Sequence, residues 1–215
     1  MARRGRLDVP VVLVGREDFH VRRYREAGET ATLFVLDASG SAALHRLAEA
    51  KGAVELLLAQ CYLRRDRVAV IAFRGKTAEL LLPPTRSLVR AKRSLAGLPG
   101  GGATPLAAGI EAGAALADSL KRQGLTPTLV LLTDGRGNMT RSGQANRQVA
   151  EQETTVASRR LRAAGHRVLL VDTSPRPQPG GLLLAREMGA LYLPLPHADS
   201  QGLAAAVTQA GGRSR

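Results

Sequence analysis

The stretch Thr30-Ala31-Thr32-Leu33-Phe34-Val35-Leu36 runs straight into Asp37-Ala38-Ser39-Gly40-Ser41, and this junction decides the fold. A short, unbroken, β-favouring apolar run predicts a strand buried on both faces, as in a parallel sheet. Its abrupt polar end sets one acid and two hydroxyls at the strand's carboxyl edge. A long amphipathic helix is expected next, over residues 42–63, with Leu44, Leu47, Val54, Leu58 and Cys61 at helical spacing.

The same alternation continues. Strands are expected over residues 68–73 and 78–82, the second halted by Pro83-Pro84. A short helix over 87–95 would carry Arg86, Arg90 and Arg93 on one face. The glycine-rich loop 98–105 leads into a helix over 106–122, whose Gly109 and Gly113 imply close packing and whose end is marked by Gly124. A buried strand over 128–132 ends in Thr133-Asp134-Gly135, followed by a polar loop, 136–146. Helix (148–164), strand (166–171), helix (181–188), strand (191–193) and helix (200–209) complete the pattern. Ahead of it all, residues 1–15 read as a basic arm and 18–25 as an exposed edge strand protected by arginines. The expected division is an arm and edge strand over 1–29, one domain over 30–210, and a frayed tail over 211–215. Strands alternating with helices give an α/β fold: a mostly parallel central sheet with an antiparallel edge strand and helices on both faces.

Composition limits the function. The chain has 215 residues and a formal net charge of +13, with 27 of its 31 basic residues being Arg. Aromatics are only 3%, with no Trp, so the stacking platforms of single-strand nucleic-acid readers are missing and nucleic acid is not the expected partner. An acidic protein surface is favoured instead for Arg-rich faces such as Arg86/Arg90/Arg93 and Arg159/Arg160/Arg162. One cysteine excludes an internal disulfide framework and a cysteine-rich zinc site, and His20, His45, His166 and His197 are too scattered for a metal cluster. No apolar run approaches the roughly 18–20 residues of a membrane span, and no signal peptide is evident. A cytoplasmic setting is expected.

In open parallel sheets the working site lies outside the carboxyl ends of the strands, where strand order reverses. Three loops belong there: Asp37–Ser41 after the first strand, Thr104 behind three glycines, and Asp134 after a later strand. Together they supply two carboxylates and three hydroxyls. These are hard oxygen donors, suited to a divalent cation such as Mg2+, with Mn2+ an alternative. An open coordination position could accept a partner's carboxylate.

Asp-x-Ser-x-Ser, a distant Thr and a distant Thr-Asp-Gly resemble the metal-ion-dependent adhesion site of von Willebrand factor A (integrin I) domains. The resemblance covers about residues 30–193 and assigns metal coordination to Asp37, Ser39, Ser41, Thr104 and Asp134. A narrower likeness is also present. Residues 35–47, Ala72-Phe73-Arg74-Gly75, residues 81–88, Leu98-Pro99-Gly100-Gly101-Gly102, residues 131–136 and residues 170–175 resemble the carboxy-terminal domain of the magnesium chelatase D subunit family. That resemblance implies a part in inserting Mg2+ into protoporphyrin IX for (bacterio)chlorophyll biosynthesis. It further implies docking with an ATP-hydrolysing AAA+ I subunit and action on a porphyrin-binding H subunit. The family's amino-terminal AAA+-like domain and acidic linker have no counterpart here, so an isolated domain is expected. No Gly-x-x-x-x-Gly-Lys-[Ser/Thr] motif occurs, and the domain alone is expected to be non-catalytic. Two alternatives have a different basis. A haloacid-dehalogenase-type phosphatase would use Asp37 as nucleophile, but Ser39 replaces its acid. A free-standing adhesion-type module would bind another protein or RNA.

Overall fold

The computed structural model describes residues 28–39, 51–98 and 100–195, without the side chains of 51–54. The arm over 1–15, the edge strand over 18–25, the start of the helix over 42–63, Ser41, the helix over 200–209 and the tail lie outside the described residues.

Strand β1 (Thr30–Asp37) is buried over seven of its eight residues. Side chains alternate along a strand, and here both faces are covered. Leu33 and Val35 join one apolar cluster, while Phe34 and Leu36 join the other. This is why the run is apolar without a polar alternation. Helix α1 (Lys51–Leu63), β2 (Arg67–Arg74), β3 (Thr77–Thr85) and α2 (Leu88–Ala96) follow, then α3 (Leu106–Arg122), β4 (Thr126–Thr133), α4 (Arg147–Ala163), β5 (Arg167–Asp172), α5 (Pro179–Met188) and β6 (Leu191–Pro194). The six strands form one sheet in the order β3-β2-β1-β4-β5-β6. Only the β2–β3 pairing is antiparallel. Helices α3, α4 and α5 pack on one face of the sheet; α1 and α2 pack on the other.

Strand order reverses between β1 and β4. From β1 the chain proceeds outward to β2, then returns to β4 on the other side. The carboxyl ends of β1 and β4 therefore open the crevice expected of a doubly wound sheet. Helix α3 reaches that crevice because two glycines let it lie close on the sheet. A Cβ on Gly109 would come within 2.4 Å of Phe73 Cδ1, and one on Gly113 within 2.9 Å of Leu129 Cδ2. The close packing expected from their spacing is what the structure has.

Two expectations need correction. Strand β3 does not stop at Pro83-Pro84 but runs through both to Thr85. An edge strand tolerates prolines because half its N–H groups have no ladder partner, and the β2–β3 register shifts between Val68 and Ile71 to accommodate them. Second, Arg86 does not share a helical stripe with Arg90 and Arg93. Ser87 caps α2, its hydroxyl accepting from Arg90 N, so Arg86 precedes the helix and pairs with Glu29. Glu29, held also by Arg67, is thereby lowered below the usual carboxylate range.

The amino-terminal edge of the sheet is pinned by a buried carboxylate. Asp66 accepts hydrogen bonds from Thr30, from Thr32 (2.9 Å) and from Arg64 (2.5 Å). Cys61 beside it is a buried hydrophobe, its thiol pushed up to about 11 by burial. No helix among the described residues is long and apolar enough to cross a membrane.

Candidate metal centre

Asp37 is the last residue of β1, and its burial to 6% exposure follows from the strand's position at the middle of the sheet. The backbone then turns tightly. Ser39 N donates to Asp37 Oδ1 at 3.0 Å, and Ser39 Oγ donates to the same oxygen at 2.5 Å. Thr104 Oγ1 donates to Ser39 Oγ at 2.6 Å across 65 residues of sequence. Asp37, Ser39 and Thr104 thus form one chain of touching oxygens. Asp134, half-buried, follows β4, the strand paired with β1, and its carboxylate accepts from Arg136 N at 3.1 Å. Ser41 lies outside the described residues, so four of the five expected positions are described at this one edge.

The triglycine loop is a clamp. Gly101 N donates to Ala38 O (3.0 Å) and Gly75 N donates to Ala103 O (2.7 Å). Gly101 and Gly102 have φ of 109° and 92°, a region open chiefly to glycine, and a Cβ on Gly102 would press to 3.1 Å from the Gly75 backbone. Thr104 is then fixed from the far side, its N–H donating to Asn138 Oδ1 at 2.7 Å and its carbonyl accepting from Asn138 N at 3.1 Å.

Two contributors were not singled out from the sequence. Thr133 Oγ1 donates to Asp37 Oδ2 at 3.0 Å and accepts from Gly135 N at 3.1 Å. It stands beside Asp134 in the Thr-Asp-Gly motif, so adjacency to that motif was the available signal. Asn138, in the polar loop after it, had no local signal. That loop is built around a Met139–Ala145 bridge and the hydrogen bonds of Thr140.

Burial pushes the Asp37 carboxyl above its usual range. The hydrogen bonds from Ser39 and Thr133 pull it down, and the charge of Asp134 pushes it up again. A buried carboxylate near a second one is electrostatically poised for a cation. The donor set also fits one. A carboxylate and two hydroxyls are hard oxygens of the kind Mg2+ takes, and Ser39 Oγ lies within hydrogen-bond reach of both Asp37 Oδ1 and Thr104 Oγ1. Among the described residues no three His, Cys, Asp or Glu side chains gather, so a cation here depends on hydroxyls. The phosphatase alternative lacks its acid: Ser39, bonded to Asp37, occupies the place of the second carboxyl.

A second Asp-x-Ser turn lies along the same edge. Asp172 ends β5, opposite Thr133, and Ser174 N donates to Asp172 Oδ1 at 2.8 Å. Its other oxygen accepts from Tyr192 OH at 2.6 Å. Burial and the Asp172 hydrogen bond push the Tyr192 phenol up to about 12. A Cβ on Gly181 of α5 would lie 2.7 Å from Asp172 Oδ2, so this turn is closed by a helix.

Residues 32–136 match the family profile of the von Willebrand factor type A domain. The chain is 52% identical over 193 residues to the magnesium-chelatase 60 kDa subunit of Cereibacter sphaeroides, covering 90% of this chain and 35% of that protein. It is 37% identical over 210 residues to the magnesium-chelatase 67 kDa subunit of Chlorobaculum tepidum, covering 93% and 34%. The chain therefore spans about a third of the length of these relatives. In three dimensions it resembles the von Willebrand factor domain of the type V pili tip protein Mfa5 from Porphyromonas gingivalis. That match has a TM-score of 0.66 at 9% identity over 87% of this chain and 98% of that one, a likeness of fold alone.

Proposed function

From the premise that this chain belongs to the von Willebrand factor type A domain family, and within it to the homologues of the magnesium-chelatase D subunit, we propose that it is the metal-dependent protein-interaction domain of such a subunit. The observation that carries this reading is the buried oxygen chain Asp37–Ser39–Thr104 beside Asp134, at the point where strand order reverses.

Asp37, Ser39, Ser41, Thr104 and Asp134 would hold Mg2+ (or Mn2+ in its place), which supplies a Lewis-acidic position for a partner's carboxylate. The chain's own part is positional. Thr133 and the Ser39 amide orient the Asp37 carboxylate, and Asn138 with the triglycine clamp fixes Thr104. Burial keeps water from competing for the same oxygens. Docking here would link the nucleotide-driven movement of an AAA+ I subunit to the porphyrin-binding H subunit, where Mg2+ enters protoporphyrin IX as substrate. The domain itself would perform no turnover.

The test is a pull-down of the AAA+ partner by the protein that carries this chain, with and without EDTA, paired with chelatase assays. Asp37→Ala with Ser39→Ala should reduce both readouts at least tenfold. Partner binding and activity that both survive intact would remove the bridging role.

A further inference from the structure

Helix α1 is apolar on the side turned away from the sheet as well as on the side turned toward it. From Glu55 to Leu63 the only charged side chain is Glu55. Leu57, Leu58 and Cys61 are buried in the core, while Leu56, Ala59, Tyr62 and Leu63 lie on the opposite side and are exposed. A surface helix ordinarily turns charged residues outward, and one that is apolar all round is ordinarily covered. Helices α2, α3 and α4 follow the first pattern, exposing Lys92 and Arg93, Lys121 and Arg122, and Arg147 and Glu151. The three most exposed large apolar side chains among the described residues are Leu63 (72%), Val89 (66%) and Tyr62 (61%). Val89 stands in the first turn of α2, on the same face of the sheet as α1. The end of α1 and the start of α2 meet the same edge of the sheet, where Val68 pairs with Thr85.

The end of α1 has a second unusual feature. It closes in a Schellman motif, Asp66 N donating to Cys61 O at 2.9 Å and Arg65 N donating to Tyr62 O at 3.0 Å. The motif needs a left-handed residue, and Arg65 fills that position with a φ of 59°. In α3, α4 and α5 the corresponding residues are Gly124, Gly165 and Gly189. Arg65 is the only non-glycine residue with positive φ among the described residues, and an L side chain is disfavoured there. Strain kept at one helix end, where glycine serves at the others, points to a use for the side chain. That side chain is exposed, two residues beyond Leu63.

Charge selects the occupant. Arg65 and, on α2, Arg90, Lys92 and Arg93 are exposed on the elements that carry the apolar patch. A second copy of this chain would bring the same cations together, and residues 1–25 are themselves rich in Arg, so like charges oppose both. We propose that Leu56, Tyr62, Leu63 and Val89, with Arg65 and Arg93, form the docking surface for an acidic amphipathic helix of a partner protein. Its apolar face would lie against α1 and its carboxylates would meet the arginines. The surface lies at the opposite edge of the sheet from Asp37, separated from it by the eight residues of β1, about 25 Å. Docking here therefore needs no cation, and it neither rests on the proposed function nor replaces it.

The probe is a fluorescein-labelled peptide of about 18 residues, long enough to hold a helix, with Leu at helical spacing and Glu on its other face. It is titrated by anisotropy at low salt in EDTA, so that no cation contributes. A peptide with the same Leu spacing and Lys in place of Glu serves as comparison. Leu63→Gln with Val89→Gln should weaken binding of the acidic peptide at least tenfold. Both side chains are exposed, so the fold should be kept, which circular dichroism checks. Arg65→Gly should weaken binding about two- to fivefold and at the same time raise the thermal midpoint, because glycine relieves the left-handed strain. Wild-type affinity in the Leu63/Val89 variant, or equal binding of the Lys peptide, would overturn the proposal. Unchanged affinity in Arg65→Gly would overturn the part given to that side chain. Self-association of the protein in analytical ultracentrifugation that disappears in the Leu63/Val89 variant would overturn the proposal in favour of a second copy. Asp37→Asn should bind the peptide as wild type does. A loss there would place the peptide at the strand-end site and overturn the assignment to α1.

Discussion

Two Asp-x-Ser turns end two strands of the same sheet, and they have opposite fates. In both, the amide of the serine donates to Oδ1 of the aspartate. At Asp37 the surroundings are hydroxyls and a second carboxylate, and the serine hydroxyl joins a chain of oxygens. At Asp172 the surroundings are Tyr192 and the glycine face of α5, and Ser174 Oγ is buried without a hydrogen-bond partner among the described residues. The local motif makes the turn. The neighbours supplied by other strands and helices set the two apart: at Asp172 they make a lock that seats α5 and β6 on the sheet, and at Asp37 they gather the oxygens that we propose hold a cation.

The largest expected effect is at the lock. Asp172→Ala strands the Ser174 amide and the Tyr192 hydroxyl, and hydrogen bonds to a charged group contribute about 1.5–3 kcal/mol each. Urea unfolding should show a loss of about 3 kcal/mol, with the Mg2+ response of the folded fraction unchanged. Gly181→Ala comes next. Its Cβ would sit 2.7 Å from Asp172 Oδ2, and overpacking of this kind costs about 1–3 kcal/mol. Tyr192→Phe removes one hydrogen bond and should cost about 1–2 kcal/mol by the same measurement. Asp37→Asn marks the other side of the comparison. It removes a buried charge that burial already disfavours, so stability in EDTA should stay within about 1 kcal/mol of wild type. A loss at Asp37 as large as that at Asp172 would erase the distinction. The smallest effect is at Ser174→Ala, which deletes an unmatched buried hydroxyl and should leave the midpoint unchanged or slightly raised.

The sequence made some of this legible and hid the rest for physical reasons. The unbroken apolar run of β1 announced a doubly covered strand because both faces had to be paid for in apolar side chains. Helix α3 spans the expected residues, 106–122, since Pro105 and Gly124 bracket a strongly periodic segment. Asp37, Ser39, Thr104 and Asp134 could be grouped because each lies at an end of a predicted element on the same edge. The course of β3 through Pro83-Pro84 was not legible, because whether a strand lies at an edge is a tertiary fact. The pairing of Arg86 with Glu29 joins residues 57 apart and leaves no local mark. Asn138 reads as an ordinary loop residue, and only the folded chain brings it to the Thr104 amide. Asp172-Thr173-Ser174 has the same Asp-x-Ser spacing as Asp37-Ala38-Ser39, and what closes it, Tyr192 and α5, is brought there only by the folded chain.

The central claim is that the turn at β1 takes a divalent cation and the turn at β5 does not. Thermal unfolding across a Mg2+ titration tests it most directly, because a ligand that binds only the folded state stabilises it by RT ln(1 + [Mg2+]/Kd) and so raises the midpoint. The midpoint of the wild-type chain should climb with Mg2+, that of Ser39→Ala with Thr104→Ala should stay flat, and that of Ser174→Ala should climb as wild type does. A wild-type midpoint indifferent to Mg2+, or a climb that survives in the Ser39/Thr104 variant, would contradict the account.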